Sequence, residues 1–101
     1  MKALLLPVER ERFRELARAH YPSVSRAVTA ACMAWCDSVL AFYGERESAE
    51  PWKPPKGRVP VSGWLDADQE VRWRLAVERS RLGSSVRAAN AACLRWLITR
   101  R

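Results

Sequence analysis

Apolar residues recur at helical spacing in two stretches of the chain, each preceded by a charged amphipathic segment and a short apolar run. Val24, Val28, Ala31, Cys32, Trp35 and Val39 form a broad stripe on one helix face. Leu40, Phe42 and Tyr43 extend it to Gly44, a natural stop. Val86, Ala89, Cys93, Trp96 and Leu97 make the corresponding stripe late in the chain. Ahead of the first stripe, Pro7 to His20 predicts a helix with Phe13, Leu16, Ala17 and His20 turned inward. Another face sets Arg10, Arg14 and Arg18 against Glu11 and Glu15, neutralising pairs three or four residues apart that suit a solvated surface. Tyr21-Pro22 ends this helix, because the residue before a proline avoids helical backbone, and Ser23 or Ser25 caps the next one.

Two short extended runs precede the charged helices. In the first, Ala3 to Leu6, a period of two sets Leu4 and Leu6 on one face and Ala3 and Leu5 on the other. The second, Arg58 to Leu65, is weakened as a strand by Pro60, which lacks a ladder donor, and by Gly63. Asp66 then caps a helix with Asp68 and Glu70 in its first turn, where the helix dipole favours acids. Gly83 ends that helix, and Ser84 or Ser85 caps the last one.

The two halves repeat. Arg26-Ala27-Val28-Thr29-Ala30-Ala31-Cys32-Met33-Ala34-Trp35 returns 61 residues later as Arg87-Ala88-Ala89-Asn90-Ala91-Ala92-Cys93-Leu94-Arg95-Trp96, with six of ten positions identical. Cys and Trp are both uncommon residues, so matching them at one offset identifies a true repeat. Leu6 and Leu65 each stand ten residues before a Leu-Ala pair, Leu16-Ala17 and Leu75-Ala76, an offset of 59 that implies a second turn two residues longer. Residues 1–43 thus form one strand–helix–helix unit and residues 58–101 another. Between them, residues 44–57 have no apolar period, three prolines and two glycines. Such a linker spans about 45 Å when extended, enough to return the chain beside its first strand. One copy alone is too small to bury a core, so the two are expected to make one compact domain.

Composition narrows the reading further. An apolar share of 49% suits a globular protein and argues against disorder. No apolar run approaches the roughly 20 residues of a spanning helix. Met1 to Pro7 is too short and too soon followed by charges for a signal peptide, so it reads as part of the fold and the chain as cytoplasmic. The net charge of +7 is uneven: residues 1–50 hold seven basic and seven acidic groups, residues 51–101 eleven and four. An arginine-rich excess suits a polyanionic partner, though it equally describes a basic protein with solvated faces. Three cysteines, at 32, 36 and 93, with one distant His20, make a poor zinc site. Cys32 and Cys93 read as small buried hydrophobes at equivalent positions. With no glycine-rich phosphate loop and no paired carboxylates beyond helix-surface ion pairs, no enzyme, metal or cofactor is expected.

Strand, helix, serine-containing turn and helix, in two copies of about 45 residues, resemble the ribbon–helix–helix family of DNA-binding proteins, the Arc and MetJ type. Leu6-Pro7-Val8-Glu9 through Leu16-Ala17 is similar to that family's strand end and first helix, and Ser23 to Trp35 to its second. The resemblance covers nearly the whole chain outside the linker. It implies a mainly α fold with a short two-stranded antiparallel ribbon, built as an intramolecular pseudo-dimer, monomeric or further self-associated. Trp35 and Trp96 would lie buried near its pseudo-twofold axis.

The resemblance also implies that the ribbon enters the major groove of duplex DNA while the second helix of each copy anchors a phosphate. The anchors would be Ser23, Ser25 and Arg26 in the first copy and Ser84, Ser85 and Arg87 in the second. With Leu4 and Leu6 inward, the outward ribbon residues would be Met1, Ala3 and Leu5, then Pro60, Ser62 and Trp64, with Leu65 inward. The opposite register would present Lys2, but also expose Leu4 and Leu6. Two functions follow. One is a DNA-binding protein, such as a small transcriptional repressor or a plasmid or phage accessory factor. The other is a protein-interaction module that docks a partner through an apolar ribbon face bearing Leu5 and Trp64.

Overall fold

Among the described residues, four helices and two short strands run twice in the order strand, helix, helix. The computed structural model describes residues 1–41 and 56–99. Strand β1 is Lys2–Leu5, followed by helices α1, Pro7–His20, and α2, Val24–Ala41. Strand β2 is Val59–Ser62, followed by helices α3, Ala67–Ser80, and α4, Ser85–Thr99. The expected extension of α2 through Phe42 and Tyr43, and the linker up to residue 55, lie outside the described residues.

Local chemistry accounts for the helix ends. Pro7 opens α1 with its φ preset, and the Glu9 carboxylate reaches back to accept from the Leu6 N–H at 2.8 Å. At α3 the box is reciprocal: Asp66 accepts from the Gln69 N–H at 2.8 Å, and Gln69 accepts from the Asp66 N–H at 3.1 Å. Ser23 and Ser84 cap α2 and α4 alike, accepting from the N–H groups of Arg26 at 3.2 Å and Arg87 at 3.1 Å. Helix α3 stops before Gly83: Arg81 takes up left-handed backbone at φ 56°, and Gly83, at φ 84°, completes the turn.

The strands pair antiparallel, with Lys2 opposite Ser62, Ala3 opposite Val61, Leu4 opposite Pro60 and Leu5 opposite Val59. A further bond from the Gly63 N–H to the Met1 carbonyl, 3.0 Å, lengthens the ribbon. The inward face is Ala3, Leu5 and Val61. This reverses the expected register of β1: Ala3 and Leu5 are fully buried, whereas Leu6 is 41% exposed and Leu4 half-buried. The cause is the repeat offset. Leu6 with Asp66, Glu9 with Gln69 and Phe13 with Trp73 hold matching places at an offset of 60, not 59. Leu65 is therefore the counterpart of Leu5. The Leu16-Ala17 match to Leu75-Ala76 slips by one residue, and Leu75 is exposed.

The two halves interlock. Helix α4 packs on β1, and α2 packs on β2, α3 and α4. Phe13 of α1 stacks on Trp96 of α4, and Trp73 of α3 on Trp35 of α2. Cys32 and Cys93, equivalent in the repeat, meet thiol to thiol, both fully buried. Alanines 27, 31, 88, 89 and 92 line the buried faces of α2 and α4 and let those helices approach. His20, expected inward, is exposed; its counterpart Ser80 is the buried one. Among the described residues no helix is long and apolar enough to cross a membrane.

Candidate nucleic-acid interface

The outward face of the ribbon follows from the observed register. Lys2 and Ser62, both exposed, face each other across the strands, and Leu4 stands beside Pro60. Just ahead of β2, half-buried Arg58 donates to the Leu4 carbonyl at 3.2 Å. The face therefore carries an ammonium and a hydroxyl beside an apolar centre, with the Arg58 guanidinium held at its edge on the Leu4 carbonyl. Of the six residues expected on it, Pro60, Ser62 and Trp64 are exposed and Met1 is half-buried, while Ala3 and Leu5 are buried against the helices. Lys2 was not among them because the register that presents it also exposes Leu4 and Leu6, and Arg58, just ahead of β2, was not singled out. The offset of 60, readable from Phe13 and Trp73, would have recovered Lys2.

The ribbon is pinned to the second helix of each half by equivalent residues. Thr29 donates to the Trp64 carbonyl at 2.7 Å, and Asn90 accepts from the Leu4 N–H. Thr29 and Asn90 are 61 apart, Leu4 and Trp64 are 60 apart. Gly63 sits where α2 leaves no room: a Cβ there would lie 3.0 Å from Val28 Cγ1 and 3.1 Å from both the Ser25 carbonyl and the Thr29 hydroxyl. Asn90 is buried, and its amide nitrogen has no partner among the described residues.

The expected phosphate anchors are unequal. At the start of α2, Ser23 caps the helix, Ser25 gives its carbonyl to Thr29 at 3.1 Å, and Arg26 is exposed. These residues and Trp64 border a cleft of about 790 Å³. At the start of α4, Ser84 caps, but the Ser85 hydroxyl accepts from the Trp73 indole at 3.0 Å and is already engaged. Arg87 is half-buried and turns back to the Leu82 carbonyl at 3.4 Å. Neither engagement is visible from the α4 sequence, since both partners come from α3 and the turn after it.

Other arginines are spent on the protein itself. Arg72 pairs with Asp37, Arg74 with Glu70 at 2.7 Å and Arg14 with Glu11 at 3.7 Å, while Arg95 donates to Ser38 at 2.6 Å. Among the described residues, no three His, Cys, Asp or Glu side chains gather as metal ligands would. Burial pushes the Cys36 thiol up to about 11, against a smaller opposing pull from Arg72. The hydrogen bond to Cys93, followed by burial, raises the Cys32 thiol far above its ordinary range. Neither thiol is a thiolate near neutrality, so neither is a ready nucleophile. No family model, curated protein or solved structure matches the chain.

Proposed function

We propose that the chain is a single-chain ribbon–helix–helix pseudo-dimer that binds duplex DNA, as a small transcriptional repressor or a plasmid or phage accessory factor. The reading rests chiefly on the ribbon: two antiparallel strands whose outer face carries exposed Lys2 and Ser62, with Arg58 just ahead of β2 held on the Leu4 carbonyl. A two-stranded ribbon fits the roughly 12 Å major groove, and Lys and Arg are the side chains that bond the O6 and N7 edge of guanine. The reciprocal pairs Phe13–Trp96 and Trp73–Trp35, with the meeting of Cys32 and Cys93, support a pseudo-twofold relation between the halves. Arg26 beside the capped start of α2 adds a phosphate contact, and the net charge of +7 favours a polyanion. The test is binding of purified protein to duplex DNA from 50 to 300 mM salt. The expected log–log slope is about −0.9 per phosphate contact. Absence of binding above micromolar affinity at the lowest salt removes the proposal.

A second reading has its own support. Trp64 is 84% exposed and borders, with Met1, Leu65, Trp73 and Val77, a cleft of about 600 Å³. An exposed tryptophan over an apolar cleft is also what a protein-docking surface presents. That reading predicts a salt-insensitive partner and no affinity for duplex DNA.

A further inference from the structure

We infer that the DNA site of this chain is non-palindromic and bound in one fixed orientation; the inference rests on the DNA-binding reading above. A symmetric dimer reads a palindrome because it presents the same group to both half-sites. Here the ribbon's symmetry point can be located. Lys2 and Ser62 are cross-strand partners and also stand 60 apart, the repeat offset of the strands, so the axis relating the halves passes through that pair. The two groups on the axis already differ, an ammonium against a hydroxyl. Moving outward, half-buried Leu4 corresponds to Trp64, 84% exposed. Beyond them, Leu6 corresponds to Asp66, the N-caps of α1 and α3. The Asp66 carboxylate is bonded to the Gln69 N–H, and Arg58 is held on the Leu4 carbonyl at the other end. One end of the ribbon is thus apolar and basic, the other aromatic and acidic.

The flanking helices differ in the same sense. Arg26 is exposed, whereas its counterpart Arg87 is turned onto the Leu82 carbonyl. Thr29 donates to one strand end, and Asn90 accepts from the other. No outward position of the ribbon is matched by its equivalent, so the two half-sites meet different chemistry and the best sequence cannot be its own reverse complement.

The test is selection by the full-length protein from a random duplex library, followed by three synthetic duplexes. One carries the selected order of halves, and the other two are the palindromes built from each half. The selected order should bind at least about 10-fold more tightly than either palindrome, since each palindrome mismatches one half. Trp64→Leu, which makes that position match Leu4, should narrow the gap for the palindrome of the Leu4 side severalfold; Trp64 is exposed, so this variant should fold. A palindromic selected motif, equal affinity for all three duplexes, or binding with no enrichment each overturns the inference while leaving DNA binding standing. No duplex binding at 50 mM salt overturns the DNA reading itself, and the inference with it.

Discussion

Phe13 stacks on Trp96 across the two halves of the chain, their centroids 4.7 Å apart and their planes inclined by 46°. The counterpart contact, Trp73 on Trp35, spans 5.3 Å at 55°. Both fall in the range where aromatic pairs add stability beyond their burial. Each pair joins the first helix of one half to the second helix of the other, so neither half completes its core alone. Truncating Trp35 or Trp96 to alanine should cost about 3–5 kcal/mol in denaturant unfolding, enough to unfold a domain of ordinary stability. A loss below about 1 kcal/mol for either would show that the contact contributes little.

The same interlocking predicts the behaviour of one half in isolation. Residues 1–43 leave β1 without β2 and α4, and Phe13 without Trp96. The fragment should be unfolded at low concentration, or fold as a homodimer in which Phe13 of one copy meets Trp35 of the other. Sedimentation equilibrium with circular dichroism distinguishes these states. A stable, folded monomer would contradict the pseudo-dimer reading.

How much of this was legible in the sequence depended on whether the signal was local. Pro7, Asp66 and the serines at 23 and 84 mark helix starts through bonds to neighbours a few residues away, and all four act as expected. The repeat of Cys and Trp at an offset of 61 placed α2 and α4. The ribbon face was misread because the run Ala3 to Leu6 is apolar on both faces, and the register that presents Lys2 also exposes Leu4 and Leu6. In a strand a slip of one residue exchanges the faces, so that error buried Lys2 and exposed Ala3 and Leu5. The engagement of Ser85 by Trp73 and of Arg87 by Leu82 depends on how α3 and its turn lie against α4, which helical periodicity does not encode.

Gly63 is the tightest point between ribbon and helices. Gly63→Ala would press a methyl group against Val28, the Ser25 carbonyl and the Thr29 hydroxyl, all on the first turns of α2 and one of them backbone. Relief requires the ribbon end to lift, which strains the Thr29–Trp64 bond. The expected loss is about 1–3 kcal/mol by denaturant unfolding. An unchanged midpoint would mean that the ribbon end is not held against α2.

Stability should fall in mild alkali. The Cys36 thiol ordinarily titrates near 9.0 and is raised by burial to about 11 in the folded chain. Below pH 9 the thiol is protonated in both states, and stability does not change through it. Between about 9 and 11 the unfolded chain loses the proton while the folded chain keeps it, so the slope of stability against pH is negative. The full effect above pH 11 is about 2–3 kcal/mol. Cys36→Ala should remove that share of the decline in urea titrations at successive pH values, and an identical pH profile for parent and variant would contradict the burial of the thiol.

The two functional readings part company at Lys2, Arg26 and Trp64, all exposed and so removable without collapse of the core. For a DNA-binding ribbon, Lys2→Ala lowers affinity for the preferred sequence more than for random duplex, because Lys2 is on the exposed face that such a ribbon would turn to the groove. Arg26→Ala lowers affinity for all sequences alike and flattens the salt slope by about 0.9, the signature of one lost phosphate contact. Trp64→Ala has the smaller effect on overall affinity, since its indole offers one donor and no charge. For a protein-docking surface the order is reversed: Trp64→Ala costs at least about 2 kcal/mol in partner binding, while Lys2→Ala and Arg26→Ala change it little. Fluorescence anisotropy on labelled duplex, run with the three variants at two salt concentrations, separates the readings. A salt slope indifferent to Arg26, with affinity that collapses on loss of Trp64, would assign the ribbon end to a protein partner.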